Sequence, residues 1–192
     1  MPAVTSAAPA AADLIPAPQF AERHARRIAA PPVVVWDALH EMRLADSPMA
    51  RVLMDLRTLA ARPGARARPA MVTRPFLERG PVPVVASDPL RSVVAGGVLQ
   101  PWKLRGGAAP PALDAGALRA FEEPGWVKCA VDFVLVPDGD GTRLSTETRV
   151  VATDRRTRVR FGIYWTLIRL GSALIRREML RMVARRAEHP AP

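Results

Sequence analysis

The sequence predicts an α+β domain in which one long C-terminal helix lies across a curved antiparallel sheet, and three observations predict it. Valine-rich runs between residues 81 and 152 are short and separated by turn residues, as strands are. Residues 157–187 repeat apolar side chains at three-and-four spacing, as a buried helix face does. A first strand and two short helices precede both, so one long helix across one sheet is the economical arrangement. With 192 residues, about half of them apolar, the chain suits a single domain with a sizeable core. Only 5% of residues are aromatic, so that core is expected to be built mainly from alanine, valine and leucine.

Met1–Pro18 is rich in alanine and proline, lacks early positive charge and has no continuous apolar stretch. It is expected to be a disordered or extended lead-in rather than a signal peptide, leaving a domain over 19–188 and a tail over 189–192. FAERHARRIAA, from Phe20, fits a strand with Glu22, His24, Arg26 and Ile28 on one side and Ala21, Arg23, Ala25 and Arg27 on the other. Charge on both sides suggests a sheet edge. After Pro31 and Pro32 the spacing becomes helical through Val35, Trp36, Leu39 and Met42. Ser47 and Pro48 form an N-cap and first turn for a second helix through Met49, Val52, Leu53, Leu56 and Leu59. ARPGARARPA is a linker, and PFLERG, with Glu78, is read as strand-like. PVPVVAS and LRSVVAGGVLQPW follow as strands, and Lys103–Ala117 is a loop with little periodicity.

The clearest hairpin joins Trp126–Val136 to Thr142–Ala152 through Pro137–Gly141. Val127, Cys129, Val131, Phe133 and Leu135 share one face of its first strand, and Lys128 and Asp132 share the other. Asp154 opens the final helix, whose apolar row runs through Phe161, Tyr164 or Trp165, Ile168, Ser172, Ile175 and Met179. Gly162 and Gly171 lower its intrinsic helicity, so packing must hold it.

The chain carries a net charge of +10, concentrated in residues 155–186, where ten arginines face the single acid Glu178. A solvated helix face, an anionic membrane surface and nucleic acid are the three readings of this cluster. Nucleic acid is disfavoured because no recognition helix or aromatic platform accompanies the arginines. Phe161–Ile175 is interrupted by Arg169, so no membrane span is expected, and a cytoplasmic location is the default. The lone Cys129 admits no internal disulfide and is read as an inert buried thiol. His24, His40 and His189 form no ligand motif, and neither a phosphate loop nor a nucleophile elbow is present, so no metal and no cofactor are expected.

Glu147 and Arg149 stand two apart on one strand and share a face. Either they form a solvent-facing ion pair of small energetic value, or they face the space under the long helix and orient a ligand's polar group. Glu78 carries the same two readings.

FAERHARRIAAPP, VVVWDALHEM, a second short helix, strands ending in LSTETRVVATD and a helix containing RVRFGIYWTLIRLGSALIRREMLRMVARRAE together resemble the START-like superfamily. This group is also called SRPBCC, polyketide cyclase or Bet v 1-like. The pattern covers about residues 20–188 and looks like a bacterial subgroup with a TETRV strand, Thr146–Val150, and an RFxxYW helix, Arg160–Trp165. The resemblance implies a helix-grip fold with a cavity between sheet and helix. Its wall would be formed by Glu78, Glu147, Arg149, Phe161, Tyr164, Trp165, Ile168 and Ser172. The ligands of the iron–sulfur oxygenase relatives are missing, which removes that branch. The expectation is a module that binds a small hydrophobic or amphipathic metabolite. One alternative is a cyclase- or dehydratase-like enzyme in which Glu147 or Glu78 moves a proton and Arg149 or Tyr164 holds oxyanion charge. The other is a membrane-surface or protein-interaction module acting through the arginine-rich helix, which exposed leucines at 167, 170 and 174 would favour.

Overall fold

The computed structural model describes residues 9–49, 51–52, 74–80, 82–103 and 110–189. In chain order the elements are α1 (Ala11–Leu14), β1 (Phe20–Ile28), α2 (Pro32–Glu41), a 3₁₀ turn at Leu44–Asp46, α3 (Phe76–Arg79), β2 (Val84–Asp88), β3 (Ser92–Leu99), α4 (Ala115–Ala120), β4 (Val127–Asp138), β5 (Gly141–Ala152) and α5 (Arg155–Glu188). The five strands form one antiparallel sheet in the order β1-β5-β4-β3-β2, so β1 is an edge strand as its two-sided charge predicts. The curved sheet packs against α5, which is the helix-grip arrangement.

The β4–β5 hairpin pairs Asp138 with Gly141, leaving Gly139 and Asp140 as a two-residue turn. Gly139 has φ of 65°, the left-handed conformation that the first position of a type II′ turn takes and that a side chain resists. This turn fixes the register, and register decides which residues share a face. Odd residues of β4 and even residues of β5 point toward α5; Val127, Cys129, Val131, Phe133, Leu144 and Val150 join Phe161, Met179 and Val183 in the main core. The remaining residues of the hairpin face the other way.

The 34-residue α5 is about 51 Å long at 1.5 Å per residue. Its start is fixed by Asp154, whose side chain accepts from Thr157 N at 2.8 Å, Thr157 Oγ1 at 2.6 Å and Gly125 N at 2.7 Å. The hydroxyl bond, then the Thr157 and Gly125 amides, hold the Asp154 carboxyl down at about 2.

The outer face of the sheet is also covered. Leu14 and Ile15 of the N-terminal segment and Leu118 of α4 pack with Val94, Val98, Trp126 and Ala130 in a second apolar cluster. Gly96 makes room for this layer, since a Cβ there would lie 2.7 Å from Leu118 Cδ2 and 3.1 Å from Leu14 Cδ1. Three expectations change here. Ala11–Leu14, placed in the lead-in, is a helical turn anchored on the sheet, because burying side chains such as Leu14 contributes about 1.5–3 kcal/mol each. Ala115–Ala120, placed in a loop, is a helix capped by the Asp114 side chain, which accepts from Ala117 N at 2.7 Å. PFLERG is not a strand: Phe76–Arg79 makes one helical turn after Pro75. The predicted second short helix starts as expected, with residues 48–49 and 51–52 helical; its continuation to Leu59 and the ARPGARARPA linker lie outside the described residues.

Candidate functional site

The interior between the sheet and α5 is lined by aromatic rings from three directions. Phe161 is their hub, with its centroid 4.9 Å from Phe20, 5.8 Å from Trp165, 5.9 Å from Tyr164 and 6.3 Å from Trp102. The helical spacing therefore brings Phe161, Tyr164 and Trp165 together as expected. Ile168 and Ser172 lie seven and eleven residues beyond Phe161, on the same helical face, and are half-buried.

Farther along α5, Arg176 meets Phe76, Leu77, Gly80, Val82, Ala95, Val131 and Phe133 around a crevice with about 290 Å³ of atom-free space. Its free centre, about 10 Å³, holds roughly one water. Arg176 as a whole is half-buried, whereas its Nη1 is shut off from solvent and has no hydrogen-bond partner among the described residues. No carboxylate forms an ion pair with it among those residues. Burial lowers its pKa, against the opposing pull of Cys129, Glu22 and Asp132. The nearby Cys129 thiol is pushed up to about 11 by burial, with Arg176 pulling it partly back. Thr146 Oγ1, on the inner face of β5, and Trp102 Nε1, in the Phe161 cluster, are likewise buried and unpartnered among the described residues.

A second polar pair faces the helix from β1. His24 Nε2 lies 2.9 Å from Glu22 Oε1, with side chains 13% and 14% exposed. Their register opposite Thr148 and Thr146 puts them on the inner side. The alternation of β1 groups Glu22 and His24 with the buried Ile28, so the side was legible; the cover over an edge strand was not.

Glu147 and Arg149 require a correction. They share a face as expected, but it is the outer one, away from α5. Arg149 Nε donates to Glu147 Oε1 at 2.7 Å, and Arg149 Nη1 donates to the carbonyls of Ile15 and Pro16, both at 3.2 Å. Asp132 lies beside them, accepting from Ala11 N at 2.9 Å and Glu147 N at 2.8 Å. Its pKa is raised, mainly by burial, with the two amides opposing. This network clamps the N-terminal segment to the sheet. Glu78 is exposed on the single turn of α3 and does not line the interior either.

Arg176 is the residue that the sequence reading missed, because it was counted with the charged face of the helix. The signal was its position: four residues after Ser172 and three before Met179, it falls on the buried row. Among the described residues no cluster of three or more histidine, cysteine or acidic side chains is arranged to hold a metal. A larger groove, with about 640 Å³ of free space against about 10 Å³ in the crevice, lies elsewhere, between α2 and the end of α5, with Asp37, Glu41, Met182 and Arg186 on its walls.

No protein-family model and no curated protein matches the chain. Among solved structures it is similar to protein MLL2253 from Mesorhizobium loti, with 17% identity over 86% of this chain and 98% of that one and a TM-score of 0.40. Protein CV1439 from Chromobacterium violaceum aligns at 14% identity over 88% and 96% with a TM-score of 0.39. CalU16 from Micromonospora echinospora aligns at 18% identity over 88% and 95% with a TM-score of 0.29. Likenesses this distant say nothing of what the chain binds; its own element order and sheet topology make it helix-grip-like.

Proposed function

We propose that the protein holds a small amphipathic molecule between the inner face of the sheet and α5, its oxygen-bearing end on Arg176 and its apolar body against Phe76, Val131 and Phe133. The observation that carries this reading is the buried Nη1 of Arg176, which has no partner among the described residues. A guanidinium nitrogen left without an acceptor costs stability, and a carboxylate or carbonyl oxygen recovers that cost while the aromatic wall takes the rest of the ligand. The crevice holds about one water, so binding requires its wall to move. The single turn Phe76–Arg79 is the movable side, since short elements open more easily than paired strands. The test compares a medium-chain fatty acid with the alcohol of equal length by calorimetry. The acid is expected to bind at least tenfold more tightly to the native protein, and Arg176→Met is expected to remove the difference. Equal binding of acid and alcohol by the native protein refutes the assignment.

A proton-transfer reading has one observation in its favour, the shielded Glu22–His24 contact on the same inner wall. Turnover of a bound carbonyl compound that His24→Gln abolishes without weakening binding would establish it; unchanged ligand recovered from the native protein removes it.

A further inference from the structure

The side of α5 turned away from the sheet carries an apolar stripe. Val159, Ile163, Leu167, Leu170 and Leu174 follow one another at intervals of four, four, three and four, and all are exposed, Leu167 and Leu170 at 78% each. Surface leucines scattered singly need no explanation, whereas five aligned over about 22 Å of helix form a continuous surface. The same spacing continues into Arg156 at one end and Arg177 at the other, with Arg160 beside Val159, and all three are exposed. None of the three forms an ion pair among the described residues. The one acid of the helix interior, Glu178, is buried and occupied by Arg185 at 2.8 Å and Arg181 at 3.5 Å. The stripe is thus bounded by unneutralised positive charge.

We propose that this face of α5 docks on a membrane surface bearing anionic lipid headgroups, lying in the plane of the interface. The leucines would enter the acyl boundary while Arg156, Arg160 and Arg177 meet the headgroups. No described helix is long and apolar enough to cross a membrane, so the contact is a peripheral one. Charge decides against a second copy of the chain. An antiparallel pairing of two stripes sets Arg177 of one helix near Arg156 of the other, and a parallel pairing sets each arginine beside itself. Nucleic acid would satisfy the arginines but leave the aliphatic stripe in water.

The experiment is co-sedimentation of the full chain with vesicles of phosphatidylcholine alone or containing phosphatidylglycerol. Binding is expected only to the anionic vesicles, with affinity falling as salt rises. Leu167→Gln with Leu170→Gln is expected to lower that affinity at least tenfold without altering the circular dichroism, because both side chains are already in water. Arg160→Gln with Arg177→Gln is expected to remove the preference for anionic vesicles while sparing the leucines. Arg176→Met is expected to bind vesicles like the native protein; loss in that variant would mean lipid uptake into the interior instead, and would overturn the proposal. Failure to bind either vesicle overturns it too, as does a dimer in sedimentation velocity that the leucine variants dissolve. The docking surface and the ligand site therefore stand or fall separately.

Discussion

On the outer face of the sheet, Asp132 accepts from two backbone amides and Arg149 donates to one carboxylate and two carbonyls; on the inner face, Arg176 ends in a nitrogen that nothing accepts from among the described residues. Both faces bury charge, and both are covered by apolar layers. The difference is in the accounting of hydrogen bonds. A buried charged group with every bond made is a fastener, whereas one with a bond outstanding is unstable as it stands and gains from a molecule that supplies the missing atom. Asp132 belongs to the first kind, and the half-buried pair that looked functional in sequence, Glu147 and Arg149, works with it as part of the same clamp.

The largest effect expected from this contrast is at Asp132. Asp132→Ala strands the amides of Ala11 and Glu147, which should cost about 2–3 kcal/mol in chemical denaturation and expose residues 10–18 to limited proteolysis. An N-terminal segment that stays protected in this variant would break the fastener reading. Arg176→Met should move the other way, stabilising the ligand-free protein by about 1–2 kcal/mol because a buried guanidinium nitrogen with no acceptor among the described residues is replaced by a side chain that packs. A destabilised Arg176→Met would mean that the guanidinium already has its full complement of partners. Glu147→Gln is expected to change stability by less than about 1 kcal/mol and leave ligand affinity untouched, as for a partly exposed ion pair. Altered affinity in that variant would return the outer face to consideration.

The smallest effect is confined to acid. Asp154 has its carboxyl held at about 2 in the fold, below the ordinary 3.8. Its contribution is therefore complete above pH 3.8 and is lost as pH falls through 2. Asp154→Asn should flatten the acid limb of the stability curve below pH 4 relative to the native protein, and parallel limbs would contradict the capping role.

Much of this architecture was legible because it rests on local periodicity. The alternation from Val127 to Leu135, the glycine at 139 and the cap at Asp154 each specify an element with little help from the rest of the chain. The site was less legible for a related reason. Spacing shows that Glu147 and Arg149 share a face, but naming that face needs the register with Asp132, and both faces turn out to be covered. The cover on the outer side comes partly from Leu14 and Ile15, set in an alanine- and proline-rich stretch with no period of its own. Arg176 was concealed by its company, since nine other arginines between residues 155 and 186 made it look like one more solvated charge. Its placement on the apolar row was the better guide than its residue type.

The solitary thiol of Cys129 has a practical consequence for the motion that binding requires. Burial pushes its pKa up to about 11, so little of it is thiolate near neutral pH, and it lies on the inner wall near Arg176. An alkylating reagent must therefore wait for the interior to part. The labelling rate then acts as a clock for opening, recorded at the chain's one cysteine without any engineered probe. A ligand seated on Arg176 would slow that clock in proportion to its occupancy.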